Sequence, residues 1–343
     1  MSSSFGKLFT VSTFGESHGK GIGVVVEGVI PGTPVSEEMI NRALARRRPG
    51  QSAVTTQRQE ADTCQILSGV FEGEATGTPV AVFIPNSDQR SGDYDNIRDL
   101  CRPGHADWAY MKKYGRRDHR GGGRSSGRET AARVAAGAIA LEMLKGRGIN
   151  ILAWTESAGN VKAEKFLPET IENNPVRTPD PEAAVKMEKA VKEAAAAGDS
   201  LGGVIAFRIT GVPAGWGEPV FDRVNALLAH AFFSIGAVRG VEMGKGFAVT
   251  VLSGSQNNAV PDGSGCSGGI TTGEPITGRI AVKPTPSIAR EQFMRKLDGS
   301  TVAAVIHGRH DPFLCPRIVP VVEAMAALVL ADMMLLAGDC GKQ

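Results

Sequence analysis

Two stretches of this chain follow one plan. VVVEGVIPGTPVSEEMINRAL, starting at Val24, and IAFRITGVPAGWGEPVFDRVNALL, starting at Ile205, both run from an apolar strand through Gly-Val and a proline turn into a helix. A strand-turn-helix unit has one face that must be covered, so a duplicated unit predicts two pseudo-equivalent halves closed against each other in one compact body. The 343 residues suffice for this, since about 150 residues per domain is the usual prior.

Local signals fill in the plan. The apolar run Gly23 to Val29 reads as a strand, and Pro31-Gly32 turns the chain into a helix capped by Ser36, with Glu37 and Glu38 in its first turn. Arg46-Arg47-Arg48-Pro49-Gly50 ends that helix; basic residues complement a helix C-terminus, although three adjacent arginines also suit a ligand. Gln65 to Val70, Val80 to Ile84, Ile149 to Trp154, Phe247 to Leu252 and Ile280 to Val282 read as strands. An alanine-rich helix is expected from about Glu129 to Leu144, and a charged peripheral one over Pro181 to Ala197. Ile318 to Ala337 is apolar enough to look membrane-like, but Pro320, Glu323 and Asp332 interrupt it, which predicts a buried or subunit-interface helix.

Composition narrows the partners. Lys and Arg number 38 against 36 Asp and Glu, a net charge of +2, so the chain lacks the broad basic excess of a polyanion binder. Five cysteines, odd in number and never in a C-x-x-C pair, read as reduced thiols of a cytoplasmic protein. MSSSFGKLFTVSTFGESHG has no apolar segment of the kind a signal peptide needs.

The charge that exists is concentrated. Seven arginines, two histidines and Gly121-Gly122-Gly123 lie between Arg102 and Arg133, just before the alanine-rich helix. Guanidinium forks, backbone N–H groups at glycines and a helix N-terminus all favour anions. A flexible basic loop on nucleic acid is the other reading of this stretch. His18, between glycines in GESHG, and His105, in RPGHAD, could serve as proton donors to a bound anion. His307, His310 and Asp311 cluster but match no metal-binding spacing, so no metal is assigned. Neither a dinucleotide fingerprint nor a P-loop occurs.

TFGESHG at Thr13, RRRPGQS at Arg46, TTQR at Thr55, RPGHAD at Arg102, YGRRDHRGGGRSSGRETAAR at Tyr114, GVPAGWGEPVFD at Gly211, KPTPS at Lys283 and GRHDP at Gly308 appear in this order. Together they resemble the chorismate synthase family nearly end to end. The resemblance implies an α+β fold of helices layered between antiparallel β-sheets, a β-α-β sandwich with an internal pseudo-duplication. Residues 1–343 would form a single domain, assembled as a cytoplasmic homotetramer that binds neither nucleic acid nor membrane. It implies a carbon–oxygen lyase of the shikimate pathway. The reaction would be anti-1,4-elimination of phosphate from 5-enolpyruvylshikimate 3-phosphate, giving chorismate, with reduced FMN as cofactor and NADPH as the candidate reductant.

By the same resemblance His18 protonates the departing phosphate, and His105 sits by the flavin N1 and C2 carbonyl. Asp311, with Ser17, relays the proton from flavin N5. Arg47, Arg48 and Arg128 take substrate oxygens. Arg124, Ser125, Ser126, Ala237, Lys283, Pro284, Thr285, Pro286, Ser287 and Arg309 match flavin contacts. The chain departs from common family patterns at Ala53, where many members have arginine and an NADPH contact would fall, and at Gly236, Gly265, Cys266 and Thr272. The segment from Ser287 to His307 is also short.

Overall fold

A computed structural model of the chain describes residues 3–51, 62–87, 98–306 and 311–339. Strands β1 (Ser4–Phe5), β2 (Thr10–Gly15) and β3 (Gly21–Glu27) lead into helix α1 (Glu37–Arg47). Strand β4 (Gln65–Ser68), the small hairpin β5–β6 (Val70–Phe71, Glu74–Ala75) and β7 (Val80–Pro85) follow. Then come β8 (Leu100–Cys101), α2 (Asp107–Tyr114) and α3 (Thr130–Lys145). The second half begins with β9 (Asn150–Ala158), β10 (Val161–Lys162) and α4 (Pro181–Ala196). It continues through β11 (Gly203–Thr210), α5 (Val224–Phe233), β12 (Val238–Met243), the short α6 (Gly254–Asn258) and the hairpin β13–β14 (Cys266–Ser267, Ile270–Thr271). Strands β15 (Ile276–Val282), β16 (Glu291–Lys296) and β17 (Thr301–Val305) precede the long helix α7 (Cys315–Leu336).

The duplication read from the sequence is present in the topology. One five-stranded sheet has the order β1-β2-β3-β7-β4 and the other β10-β9-β11-β15-β12. Within each half three strands of the sheet precede a helix, α1 or α5, and two follow it, the last strand inserting between its predecessor and the strand before the helix. All pairs are antiparallel, and the outer pairs β4–β7 and β12–β15 both carry a register shift. Each half ends in its long helix: α3 packs on β3 and β7, α7 on β9 and β11, and the two helices pack on each other. Helices therefore fill the space between the sheets.

Composition explains why these elements close. Strand β3, GIGVVVE, is buried at five of its seven positions, as expected where a helix layer covers a sheet. Gly137 of α3 lets α7 approach: a β-carbon there would lie 2.4 Å from the Ala324 β-carbon. At α1, the Ser36 side chain accepts from the Met39 amide at 3.2 Å, as the capping pattern predicts. Helix α7 is long and apolar enough to cross a membrane, yet 94% of its most apolar window is buried inside the protein. Its two acids are satisfied there: Glu323 pairs with Arg46 at 2.5 Å, and Asp332 accepts from the amides of Lys7, Leu8 and Phe9.

Two local expectations change. Phe247 to Leu252, expected as a strand, lies in a 3-10 turn over Gly246–Val251; Phe247 and Val251 are exposed, and no strand of the sheet pairs with it. Alternating apolar residues form a strand only with an edge to pair with. The strand expected over Gln65 to Val70 shifts register between Ile66 and Ser68 and ends at Ser68, and Val70–Phe71 pairs instead with Glu74–Ala75.

Candidate active site

The connection from β7 to α3 carries the basic stretch, and the connection from β15 to α7 carries KPTPS and Asp311. Both line one cavity of about 480 Å³, within the usual size range for small-molecule and cofactor sites. Eight Arg or Lys residues line it against two carboxylates, Glu129 and Asp311, and His105 stands among them.

Buried carboxylates behind and within the wall hold these arginines. Asp62, 3% exposed, pairs with both Arg47 and Arg128. Burial alone would raise the Asp62 carboxyl, but the two guanidinium groups hold it below the usual carboxylate range. Burial, with Arg317 and Arg128 nearby, pushes the Arg47 guanidinium down to about 10 despite Asp62; it stays charged at neutral pH. Asp107 takes Arg102 bidentately, at 2.9 and 3.0 Å, and Arg117 at 2.9 Å. Glu129 takes Arg133 at 2.8 Å. Arg317 pairs with Asp311 at 2.5 Å and donates to the Arg47 carbonyl at 3.3 Å.

The second half supplies a different surface. His105 Nε2 and Ser287 Oγ share a hydrogen bond of 2.8 Å, and Lys283 Nζ donates to the Gly104 carbonyl at 2.7 Å. Among the described residues Lys283 has no carboxylate partner, and burial, then Arg239, lowers its ammonium from the ordinary lysine value. Among the described residues neither Lys283 nor Arg239 is paired with a carboxylate, so positive charge is concentrated there, where an anion would relieve it. The Thr285 hydroxyl is buried with no hydrogen-bond partner among the described residues, an acceptor or donor held ready in the wall.

His18 and Ser17, both buried, do not line the cavity; they pack at Gly121, the residue before the cavity-lining Gly122. They lie against Gly121, where a β-carbon would fall 2.5 Å from His18 Cδ2 and 3.3 Å from Ser17 Oγ. Gly121 also has φ 99°, which side-chain-bearing residues rarely adopt. Gly121→Ala is therefore expected to displace the imidazole and to cost about 1–3 kcal/mol of stability, read as a lower denaturation midpoint.

The structure places the other anticipated residues as follows. Arg47, Arg124, Ser125, Ser126, Arg128, Ala237, Lys283, Thr285, Pro286 and Ser287 line the cavity with His105 and Asp311. Arg124 donates to the Thr13 hydroxyl at 2.6 Å. Arg48 is exposed at the end of α1 and does not line the cavity, and Pro284 packs toward Gly202. Gly236 lines the cavity, whereas Gly265, Cys266 and Thr272 surround the β13–β14 hairpin outside it. Arg309 and Ala53 lie outside the described residues. Sequence reasoning did not single out Asp62, Asp107, Glu129, Arg133, Arg239 or Arg317. Their roles come from long-range pairings, such as Arg128 with Asp62, which no local spacing encodes.

A cation-rich cavity with a histidine and a carboxylate in its wall, set between two duplicated sheet-and-helix halves, defines an enzyme site for a small anionic ligand. Residues 9–335 match the family model described as chorismate synthase. A chorismate synthase of Syntrophobacter fumaroxidans is 52% identical over 341 residues, 97% of each chain. One of Methanocella arvoryzae is 50% identical over 354 residues, covering 97% of this chain and 94% of the relative. A crystal structure of chorismate synthase, 32% identical, matches with a TM-score of 0.76 over 97% of this chain and 93% of its own. The chain belongs to the chorismate synthase family.

Proposed function

We propose that the cavity binds reduced FMN together with 5-enolpyruvylshikimate 3-phosphate, and that His18, His105 and Asp311 handle the protons of the elimination. As a member of its family the chain is a carbon–oxygen lyase of the shikimate pathway, forming chorismate from a small-molecule substrate. The observation that carries the fuller reading is the single cavity in which His105, Asp311 and eight Arg or Lys side chains meet.

The wall suits a flavin phosphate carrier. Lys283 and Arg239 offer positive charge without a carboxylate partner among the described residues, and Ser125, Ser126, Thr285 and Ser287 offer hydroxyls. When bound, reduced FMN supplies electron density to the breaking C–O bond. The protein does the rest. Arg47, Arg128 and Arg317 provide a fixed positive field in which a departing phosphate dianion is stabilised without reorganising solvent. His105 Nε2 exchanges its hydrogen bond with Ser287 Oγ for one to the bound ligands. Asp311 is held at the wall by Arg317, where it takes up a proton. His18, packed on Gly121 next to the cavity-lining Gly122, gives its proton to the phosphate.

The two halves act as one domain in this reading, since both contribute to the cavity wall: the end of α1 and the β7–α3 connection from one, the α5–β12 and β15–α7 connections from the other. The enzyme is further read as a cytoplasmic homotetramer that takes neither nucleic acid nor membrane. Exposed Phe221, Phe247 and Val251 support such an assembly, and most arginines of the basic stretch are engaged by protein groups. The test is an anaerobic assay of phosphate release with photoreduced FMN, run with and without NADPH. Release with reduced FMN alone is expected; none from folded protein would overturn the reading. Turnover from oxidised FMN with NADPH would show that the chain reduces its own flavin.

A further inference from the structure

We propose that Asp107 is a positioning residue whose single carboxylate sets the placement of both imidazoles, His105 and His18. The inference rests on reading those histidines as the proton-handling pair. Asp107 opens α2, two residues after His105, and is 7% exposed. Its Oδ2 accepts from the backbone amide of Arg102 at 2.9 Å, which closes the turn that carries His105. The same oxygen accepts from Arg102 Nε at 2.9 Å, and Oδ1 accepts from Arg102 Nη2 at 3.0 Å.

That fork leaves the guanidinium with one orientation, and Arg102 Nη2 uses it to donate to the Gly121 carbonyl at 3.1 Å. Gly121 is the backbone on which His18 and Ser17 rest. The chain of contacts from His105 to His18 thus passes through one ion pair, Asp107 with Arg102, with every link buried or part-buried. Arg117 completes the clamp: it pairs with Asp107 Oδ1 at 2.9 Å and donates to the carbonyls of Arg98 and Leu100 at 2.7 Å, anchoring the carboxylate to β8. Lysine in place of Arg102 would keep a charge but not the planar fork that engages Asp107 and Gly121 at once.

The experiment compares wild type with Asp107→Asn and Arg102→Lys by carbethoxylation of histidines with diethyl pyrocarbonate, followed peptide by peptide in the mass spectrometer, alongside steady-state turnover. In either variant the modification rates of both His18 and His105 are expected to rise severalfold, while His230, which packs on Phe5 in another part of the fold, keeps its wild-type rate. Displacing a catalytic group by about 1 Å costs up to roughly 100-fold, so kcat should fall by roughly 10- to 100-fold with little change in KM. Should Asp107→Asn not fold, Arg102→Lys carries the comparison. An unchanged rate at His18 in the folded variants overturns the proposal, as does an equal rise at His230, which would mark general loosening. Wild-type turnover by His18→Ala and His105→Ala would instead sink the catalytic reading, and the modification rates would still report the placement.

Discussion

Alanine at His18, or separately at His105, is expected to slow turnover roughly 100- to 10,000-fold, the span a general acid or a positioned charge stabiliser contributes. The two losses have different origins. His18 is buried against Gly121, next to the cavity-lining Gly122. A phosphate dianion leaving there without a proton would have only the arginine field to stabilise it, so the effect should appear in kcat. His105 lines the cavity and bonds to Ser287, which belongs to the same wall as Lys283. Its loss should therefore also weaken flavin binding, measurable by titration of oxidised FMN with no turnover at all. Phosphate release under reducing, anaerobic conditions measures both variants. A near-wild-type rate in either one removes the role given to that histidine.

Asp62→Ala should have the largest effect on stability, about 3–5 kcal/mol, read from chemical denaturation. Its carboxylate is shared by Arg47 and Arg128, so removal leaves two buried guanidinium groups facing each other. Acid should act in the same direction. Burial would raise the Asp62 pKa, but its two arginine partners hold the folded-state value below the ordinary one. The stabilisation is therefore complete above the unfolded carboxylate value of about 3.9 and is lost as pH falls through the folded value. Wild type should lose stability below about pH 4 more steeply than Asp62→Ala, and matching acid limbs would count against the shared-carboxylate account.

Local signals reported what is local. The Ser36 cap, the Pro-Gly stop after α1 and the paired strand-turn-helix segments could be read directly, because caps, turns and apolar periodicity act over a few residues. His18, His105 and Asp311 could be named from the motifs around them. What the motifs do not contain is the set of carboxylates that fix the arginines. Arg128 and Asp62 are 66 residues apart, and Asp62 belongs to no pattern that marks it as their partner. Arg317 sits in the first turn of an apolar helix, where it reads as a helix residue and not as the partner of Asp311. Phe247 to Leu252 failed for the converse reason: its alternation is real, but pairing depends on a neighbour that sequence does not supply.

The matching strand orders of the two halves bear on how such a protein can change. In both, the segment between the last strand of the sheet and the long helix is where the chain leaves the scaffold to line the cavity. Sheets and crossed helices can thus stay fixed while those two excursions diverge, one toward guanidinium groups and imidazole, the other toward lysine, hydroxyls and a carboxylate. The two excursions are tied to each other, since β8 of the first pairs with β16 of the second and His105 bonds to Ser287, so a graft between relatives would have to carry both together.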